Sequence, residues 1–239
     1  MKKYDLTYKP FGDSAILIEW PTKIDEEIIQ DIVSFESRIS GALNVLDTII
    51  AYNSLTIRYK DSIDAASQVS HLKELYGQKQ EQKRQESRLW EVPVCYDLEF
   101  GLDLEEIAKS KNLSVEEVIQ LHSDPTYLIY FLGFQPGFLY LGGLNKQIHM
   151  RRKANPRLRV AKGSVGIGGE QTGVYPQDSA GGWNLIGKSP INFFDAQKER
   201  PCFAKARDQI QFISVNLESY RQIEVEVKAG VYELKSKTL

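Results

Sequence analysis

Two arginines in a basic stretch are the residues of this sequence best suited to bind an anion. Arg157 and Arg159 lie within residues 151–162, a run rich in cations that contains no acidic residue. Arginine carries a planar fork of N–H groups that fits a carboxylate or a phosphate with two hydrogen bonds. The two arginines alternate about Leu158, so a β-strand here would direct both side chains to one face. For the other cations of the run, a solvated loop is the simpler interpretation.

A second stretch matches a phosphate-binding motif by its letters alone. Residues 182–189 read GWNLIGKS, the G-x-x-x-x-G-K-S/T pattern of a phosphate-binding loop. Such a loop joins a buried strand to the start of a helix, but here TGVYPQDSAG precedes the match and Pro190 follows it. This context predicts a turn and a strand instead, with Trp183 packed and Lys188 at a rim.

Composition argues against several classes of protein. A net charge of −2 and an isoelectric point near 6.0 do not favour nucleic acid or an anionic membrane as a partner. Residues 125–145 carry no charge, yet their glycines and prolines would leave backbone groups unpaired in lipid, so we expect no membrane span.

The histidines and cysteines lack metal-ligand spacing, and we expect no metal site. Two distant cysteines and an N-terminus without a continuous apolar core predict a cytoplasmic protein.

A charged segment divides the sequence into two predicted domains. Residues 77–88, GQKQEQKRQESR, contain no apolar residue and cannot enter a core. We therefore expect an N-terminal domain over 1–85, with this linker starting near 77, and a C-terminal domain over 86–239. The first domain shows a strand at 14–20, a helix at 24–39, strands at 44–52 and 55–59 and a helix at 63–76. With a strand at 91–96, which could serve either domain, this is the β-α-β-β-α-β order of a ferredoxin-like α+β domain.

The second domain is predicted to be mainly β. Two short helices are expected at 103–109 and 114–122, the latter opened by Ser114 and Glu117 at the spacing of a capping box. Further on, short apolar runs alternate with turn residues, as at 127–132, 164–167, 209–215 and 222–227. This pattern favours a compact β barrel or sandwich. The aromatic residues Phe134, Phe138 and Trp183 either line a groove or fill the core of that barrel.

Several stretches resemble a known family. They read FLGFQPGFLYLGGL at 131–144, PRLRVAKGSVGIGGEQTGVYP at 156–176 and SAGGWNLIGKSPINFFD at 179–195. Together with VPVCYDLEFGLDLEEIA at 92–108 and LHSDPTYLIY at 121–130, they are similar to the KipI family, which is also described as the B component of 5-oxoprolinase and as allophanate hydrolase subunit 1. Lys188 and Ser189 stand where the family usually has Arg-Thr, which removes a bidentate group.

The resemblance implies an N-terminal α+β domain, a C-terminal cyclophilin-like β barrel and two activities. The first is the ATP-dependent opening of 5-oxoproline to glutamate, as a non-autonomous subunit working with companion components C and A. ATP is then a co-substrate, and no cofactor is bound tightly. The second is inhibition of the autophosphorylation of a sporulation histidine kinase, by binding of its dimerisation and phosphotransfer helices.

Both activities suggest site residues. The candidates for catalysis are Arg157, Arg159, Gln171 and Tyr175, because developing negative charge needs cations and hydrogen-bond donors. The candidates for a ligand or partner groove are Phe134, Gln135, Pro136, Phe138, Ser164, Gly166, Thr172 and Trp183. Two alternatives stay open: a small-molecule amidohydrolase or carboxylase-type subunit without a kinase role, and a cyclophilin-like module that binds a proline-containing segment.

Overall fold

The chain forms two compact units. The computed structural model describes residues 4–78 and 86–239, and the units are Met1–Glu86 and Ser87–Leu239. Residues 79–85 of the predicted linker lie outside the described residues. None of the helices in the described ranges has the length and hydrophobicity that crossing a bilayer requires.

The first unit consists of two helices and a four-stranded antiparallel sheet. Its elements are β1 (Thr7–Pro10), β2 (Ala15–Glu19), α1 (Glu26–Ala42), β3 (Asp47–Ile50), β4 (Ser54–Arg58) and α2 (Ala65–Gly77). The strands lie in the order β1-β2-β4-β3. Asp25 caps α1 by accepting a hydrogen bond from the backbone N–H of Glu27 at 2.8 Å, and the acidic first turn favours the helix dipole.

One face of α1 forms much of the core of this unit. Ile28, Ile32, Phe35 and Ile39 are buried, as their spacing of three and four residues predicts. The ring of Phe35 lies 4.9 Å from that of Tyr76 on α2, centroid to centroid. The helix is therefore stabilised mainly by the burial of its apolar stripe.

The strand predicted at 91–96, which the sequence allowed in either domain, lies in the second unit. Residues 91–95 form most of β5 (Arg88–Cys95) there. The last four residues of β5 are all buried, which is typical of a strand covered on both faces. The edge position in the first unit is taken by β1, an unpredicted strand that is largely exposed and ends at Pro10, as edge strands allow. The ferredoxin-like description of this unit stays a prediction.

The second unit contains a closed barrel of seven strands, as the β pattern of the sequence predicted. After β5 come α3 (Leu104–Lys111), α4 (Val115–Ser123), β6 (Thr126–Leu132), β7 (Leu139–Gly142), a 3-10 turn (Lys146–Ile148), β8 (Arg157–Val160), β9 (Ser164–Gly168), β10 (Gln171–Val174), β11 (Ser179–Gly181), β12 (Asn184–Lys188), β13 (Gln209–Val215), α5 (Leu217–Lys228) and β14 (Ser236–Thr238). The barrel order is β12-β9-β10-β7-β6-β13-β5, and β5 also pairs with β12 and β14. A separate ribbon joins β8 to β11.

A glycine allows the barrel to close. Lys188 at the end of β12 pairs with Cys95 at the end of β5, and Gly187 precedes this pair. A Cβ atom at Gly187 would lie 2.7 Å from the carbonyl oxygen of Cys95. Only a residue without a side chain fits this approach of two backbones. The cyclophilin-like description of the barrel stays a prediction.

The expectation of a strand at 222–227 was wrong, because these residues lie in α5. The alternating letters QIEVEV suggested β structure, but Tyr220, Ile223 and Val227 follow helical spacing and pack inward. Asn216 caps the helix, its side-chain oxygen accepting a hydrogen bond from the N–H of Ser219 at 2.8 Å. The cap and the three-residue stripe outweigh the local alternation. The strand over residues 184–188 and the capping box at Ser114 are confirmed.

Replacing Phe35 with alanine should destabilise the first unit. The substitution Phe35→Ala removes a fully buried ring, and large-to-small changes of this kind lower the free energy of unfolding by about 3–5 kcal/mol. Native-state hydrogen exchange of the α1 amides measures the effect. The matched control is Ile24→Ala, since Ile24 is 56% exposed and should change stability by less than about 0.5 kcal/mol. Equal α1 protection in both variants would contradict the packing described.

Candidate functional site

A cleft of about 300 Å³ lies on the second unit. Its polar lining consists of Arg157, Arg159, Lys188, Glu99 and Ser164. Its apolar lining consists of Phe100, Leu102, Val160, Ala161 and Leu185. Three cations and one carboxylate therefore surround a partly apolar space, an arrangement suited to a small anion with a hydrophobic part.

A tight turn after β5 forms one wall of the cleft. The N–H of Gly101 donates to the carbonyl of Asp97 at 2.8 Å, and the Asp97 carboxylate accepts from the N–H of Glu99 at 2.9 Å. A Cβ atom at Gly101 would lie 2.8 Å from the carbonyl oxygen of Ile186 in β12. The glycine therefore lets the turn pack directly on β12, so Phe100 faces the cleft.

The buried carboxylate of Asp103 positions Arg157. It accepts hydrogen bonds from Arg157 Nη2 at 2.8 Å and from the N–H of Leu185 at 2.7 Å, and it pairs with Lys153 Nζ at 2.7 Å. Burial raises the pKa of Asp103, but the hydrogen bonds from Arg157, Lys153 and Leu185 outweigh it and leave the pKa below its usual value. Arg157 Nη1 is buried and finds no hydrogen-bond partner among the described residues.

Arg159 occupies a different environment, although it lies on the same face of β8. Its side chain is 81% exposed, and its Nε and Nη2 donate to one oxygen of Asp178 at 3.2 and 2.8 Å. Asp178 also accepts from the backbone N–H of Lys162 at 2.8 Å. An exposed pair of this kind adds little stability, so Arg159 remains available to a ligand at the rim.

A group of aromatic residues forms a second, smaller core. Phe138, Tyr175 and Trp183 are buried in it, and the rings of Phe138 and Trp183 lie 5.5 Å apart, centroid to centroid. Burial raises the pKa of the Tyr175 hydroxyl, against a smaller lowering by a backbone hydrogen bond from Trp183. For Phe138 and Trp183, the core interpretation of the sequence is therefore the one that the structure favours.

Phe134 leaves this core and projects outward. It is 65% exposed and has a positive φ of 64°, which strains a residue that is not glycine. Its ring contacts that of Phe138 edge-on, at 5.5 Å between centroids. Pro136 beside it is exposed, while the side-chain oxygen of Gln135 is buried without a partner among the described residues. Strained backbone and an exposed aromatic ring together are typical of a binding surface.

Inside the barrel, His122 forms the centre of a buried polar network. Its Nε2 lies 2.7 Å from the Thr172 hydroxyl, and its Nδ1 lies 2.7 Å from the Tyr96 hydroxyl. Thr172 donates its own proton to the carbonyl of Gly166 at 3.1 Å. The proton of the neutral imidazole must then reside on Nε2, with Tyr96 donating to Nδ1. Burial lowers the pKa of His122 from 6.5 to about 3, so the ring is neutral near pH 7.

The comparisons with known proteins identify the family. Residues 6–204 match the model of the carboxyltransferase domain, subdomain C and D. The chain belongs to this carboxyltransferase-domain family. Its curated relatives include the B component of 5-oxoprolinase from Bacillus subtilis, which is 37% identical over 90% of this chain and 95% of the relative. The same component from Haemophilus influenzae is 36% identical over 87% and 98% of the two chains. The resemblance to this 5-oxoprolinase family is therefore confirmed.

Several solved structures resemble the fold of this chain. The protein PH0987 of Pyrococcus horikoshii is 36% identical over 90% of this chain and all of its own, with a TM-score of 0.54. TTHA0988 is 33% identical with a TM-score of 0.73, and this chain covers 40% of its length. The urea amidolyase of K. lactis is 19% identical to this chain, with a TM-score of 0.81. The match covers all of this chain and 17% of the amidolyase. At that identity the likeness shows the fold alone.

The structure distributes the candidate residues of the sequence over three places. Arg157, Arg159 and Ser164 line the cleft. Phe134, Phe138, Tyr175 and Trp183 meet in the aromatic group, whereas Thr172 and Gly166 belong to the His122 network. Gln171 begins β10 and is absent from the cleft lining.

Sequence reasoning missed Asp103 and His122 and placed Lys188 only at a rim. Asp103 and His122 lie 54 and 50 residues from the partners that make them informative, Arg157 and Thr172. No local spacing joins such residues. Lys188 was visible as the lysine of the rejected phosphate-loop match, so its letter pattern was the one available signal. Within the described ranges, no group of three or more His, Cys, Asp or Glu residues could hold a metal ion.

Removing the charge of Asp103 should destabilise the second unit. In Asp103→Asn, two cations lose their buried counter-charge, and we expect the free energy of unfolding to fall by about 2–3 kcal/mol. Urea denaturation followed by tryptophan fluorescence measures it, because Trp90 and Trp183 lie in this unit. The control Asp178→Asn breaks only an exposed pair and should leave the midpoint nearly unchanged. Similar midpoints for the two variants would contradict the stabilising role of the buried Asp103 carboxylate.

Acid should destabilise the protein through His122. The folded pKa of about 3 lies below the ordinary 6.5, so between these values the unfolded chain binds more protons and stability falls as pH falls. The slope reaches about 1.4 kcal/mol per pH unit. Denaturation series between pH 6.5 and about 5, above the carboxyl range, measure it. His122→Gln should flatten this slope, whereas His71→Gln, at an exposed position, should retain it. An unchanged slope in His122→Gln would contradict the assignment.

Proposed function

We propose that this chain is the B component of an ATP-dependent 5-oxoprolinase, which opens the lactam of 5-oxoproline to glutamate. The observation that carries the proposal is the near end-to-end similarity to curated proteins of that name. The relative from Escherichia coli, for example, is 37% identical over 84% of this chain and 93% of its own. Similarity over almost the full length of both chains favours the same role over a merely shared domain.

The cleft supplies chemistry that suits this substrate. 5-Oxoproline carries one carboxylate and one amide on a small ring, and the cleft combines cations with an apolar wall. Opening the lactam develops negative charge on its carbonyl oxygen, which cations held in place stabilise. Arg157, fixed by Asp103, is the best-positioned of them, because its orientation does not have to be established when substrate arrives.

The chain is expected to work as one part of an assembly. The relatives are named as subunits, so we infer companion components A and C, with ATP as the co-substrate of the assembled enzyme and no tightly bound cofactor here. The same proposal includes a cytoplasmic location. It also includes a ferredoxin-like first unit and a cyclophilin-like barrel.

Reconstitution tests this function. The full chain is mixed with purified A and C components of a 5-oxoprolinase, and phosphate release that depends on 5-oxoproline is measured. We expect activity only when all three are present. Arg157→Lys keeps the positive charge but loses the planar fork of N–H groups. It should therefore lower kcat/KM by about tenfold or more. Arg200→Lys, at an exposed position away from the cleft, serves as the control. Absence of substrate-dependent phosphate release from the complete mixture would rule out the proposal.

The aromatic surface favours a second candidate function. We propose that Phe134 and Pro136, exposed beside the buried Phe138, dock against the dimerisation and phosphotransfer helices of a sporulation histidine kinase and block its autophosphorylation. An apolar side chain held in a strained turn can insert between the helices of a partner. The cyclophilin-like alternative, binding of a proline-containing segment, would use the same surface.

A kinase assay separates these possibilities from the enzymatic one. Purified chain is titrated into the kinase with labelled ATP, and autophosphorylation is followed. Phe134→Ser should weaken inhibition by about tenfold or more, as loss of an aromatic anchor does, and leave reconstituted 5-oxoprolinase activity unchanged. No inhibition at saturating wild-type protein would exclude the kinase role.

A further inference from the structure

We propose that Lys188 and Phe100 form an anion-binding subsite within the cleft, in which the lysine ammonium takes an anionic oxygen group of the reactants. The identity of that group rests on the proposed function: it is the carboxylate of 5-oxoproline or the phosphoryl group that ATP supplies. Both present negatively charged oxygens to an ammonium, and the experiment below distinguishes them.

Lys188 differs from the other two cations of the cleft in having no carboxylate of its own. Arg157 is paired with Asp103 and Arg159 with Asp178. Within residues 4–78 and 86–239, no carboxylate lies within 4.0 Å of the Lys188 ammonium, which instead contacts an aromatic ring. A half-buried ammonium that no carboxylate contacts favours the binding of an anion from solution.

The acidic residues around Lys188 are already engaged with other cations. The pairs are Glu99 with Arg221 at 3.9 Å, Asp178 with Arg159 at 2.8 Å and Glu224 with Lys228 at 2.7 Å. The pKa of Glu224 is lowered chiefly by its hydrogen bond from Lys228, and the charge of Lys188 contributes a smaller part. These carboxylates therefore tune the potential near Lys188 without occupying its N–H groups.

The ring of Phe100 holds the ammonium in place. Lys188 Nζ lies 5.3 Å from the centroid of this ring, within the range of a cation–π contact. A free lysine side chain loses up to about 2 kcal/mol of rotamer entropy when it becomes ordered. Contact with the ring restricts the ammonium before a ligand arrives, so binding an anion requires less additional ordering.

Phe100 is itself fixed from two sides. Gly101 brings the turn against β12, the strand that ends at Lys188. On the other side, the ring of Tyr220 on α5 packs at 4.7 Å between centroids, and the Tyr220 hydroxyl donates to Glu224 at 3.2 Å. The helix α5 lies outside the family-matched residues 6–204. One wall of the subsite therefore depends on α5, which the family model does not describe. Tyr220 on this helix is a positioning residue that acts through Phe100.

Binding to the full chain tests the subsite directly. Calorimetry or ligand-detected NMR is performed with 5-oxoproline, with inorganic phosphate and with pyrrolidin-2-one, which has the lactam ring but no carboxylate. We expect Lys188→Met to raise the Kd of the bound anion by about tenfold, the range of a charge-assisted hydrogen bond. Lys188→Arg should preserve most of the affinity. The control is Lys162→Met, because the Lys162 ammonium bonds Asn192 outside the cleft lining. This variant should bind the anion as the wild type does.

A second pair of variants isolates the ring. Phe100→Leu should weaken anion binding about two- to fivefold, as loss of a partly exposed cation–π contact does. Phe100→Tyr keeps an aromatic face towards the ammonium and should bind the anion about as the wild type does. Near-UV circular dichroism of each variant confirms that the second unit is folded.

The outcomes separate the subsite from the proposed enzyme. Binding of 5-oxoproline but not of phosphate, lost in Lys188→Met, supports the subsite with the carboxylate as its ligand, and the reverse supports it with a phosphoryl group. Lys188-dependent binding in a protein that is inactive with the A and C components supports the subsite while the enzymatic proposal fails. Three results would overturn the subsite. The first is equal affinity of the wild type and Lys188→Met for the anion, and the second is the absence of saturable anion binding. The third is binding of pyrrolidin-2-one as tightly as 5-oxoproline, together with no binding of phosphate.

Discussion

The cleft of the second unit depends on one buried carboxylate. Asp103 is 2% exposed and bonds Arg157 from β8, Lys153 from the segment before it and the backbone of Leu185 in β12. A buried charge is tolerated only when it is paired and hydrogen-bonded, so loss of these partners would destabilise the second unit. The same bonds that satisfy Asp103 therefore align the two strands that form the cleft walls and hold an arginine at their border.

Around this carboxylate, the barrel separates two kinds of polar chemistry. The His122 network is sealed inside, with every donor and acceptor of the imidazole matched to a hydroxyl, and it specifies how β10 and α4 meet. The cleft holds charged groups whose hydrogen bonds are incomplete: the buried Nη1 of Arg157 has no partner among the described residues, and Lys188 lies against an aromatic ring. Saturated networks stabilise a fold, whereas unsaturated ones can exchange partners with a ligand. This contrast is the physical reason for placing function in the cleft.

Local patterns were reliable where local forces decide the structure. The isoleucine stripe of α1, the capping box of α4 and the strand over residues 209–215 were predicted correctly, because each depends on neighbours a few residues away. What local pattern got wrong or left open was decided by tertiary packing. The segment 222–227 alternates like a strand, but the barrel surface buries its helical stripe instead. The sequence did not decide which unit β5 joins, and the structure places it in the second unit, with its last four residues buried.

The sequence by itself determined the β character of the second unit and the family, and it made Arg157 and Arg159 candidates, since these follow from periodicity and motif. Tertiary structure decided which cations act together. It paired Arg159 with Asp178 at the exposed rim, fixed Arg157 on Asp103 and placed Lys188 over a ring that a helix from the end of the chain supports. The partners in the last two contacts are separated by 54 residues or more in the chain. Only folding brings such groups within reach, because electrostatic and aromatic contacts act over distances of a few ångströms in space.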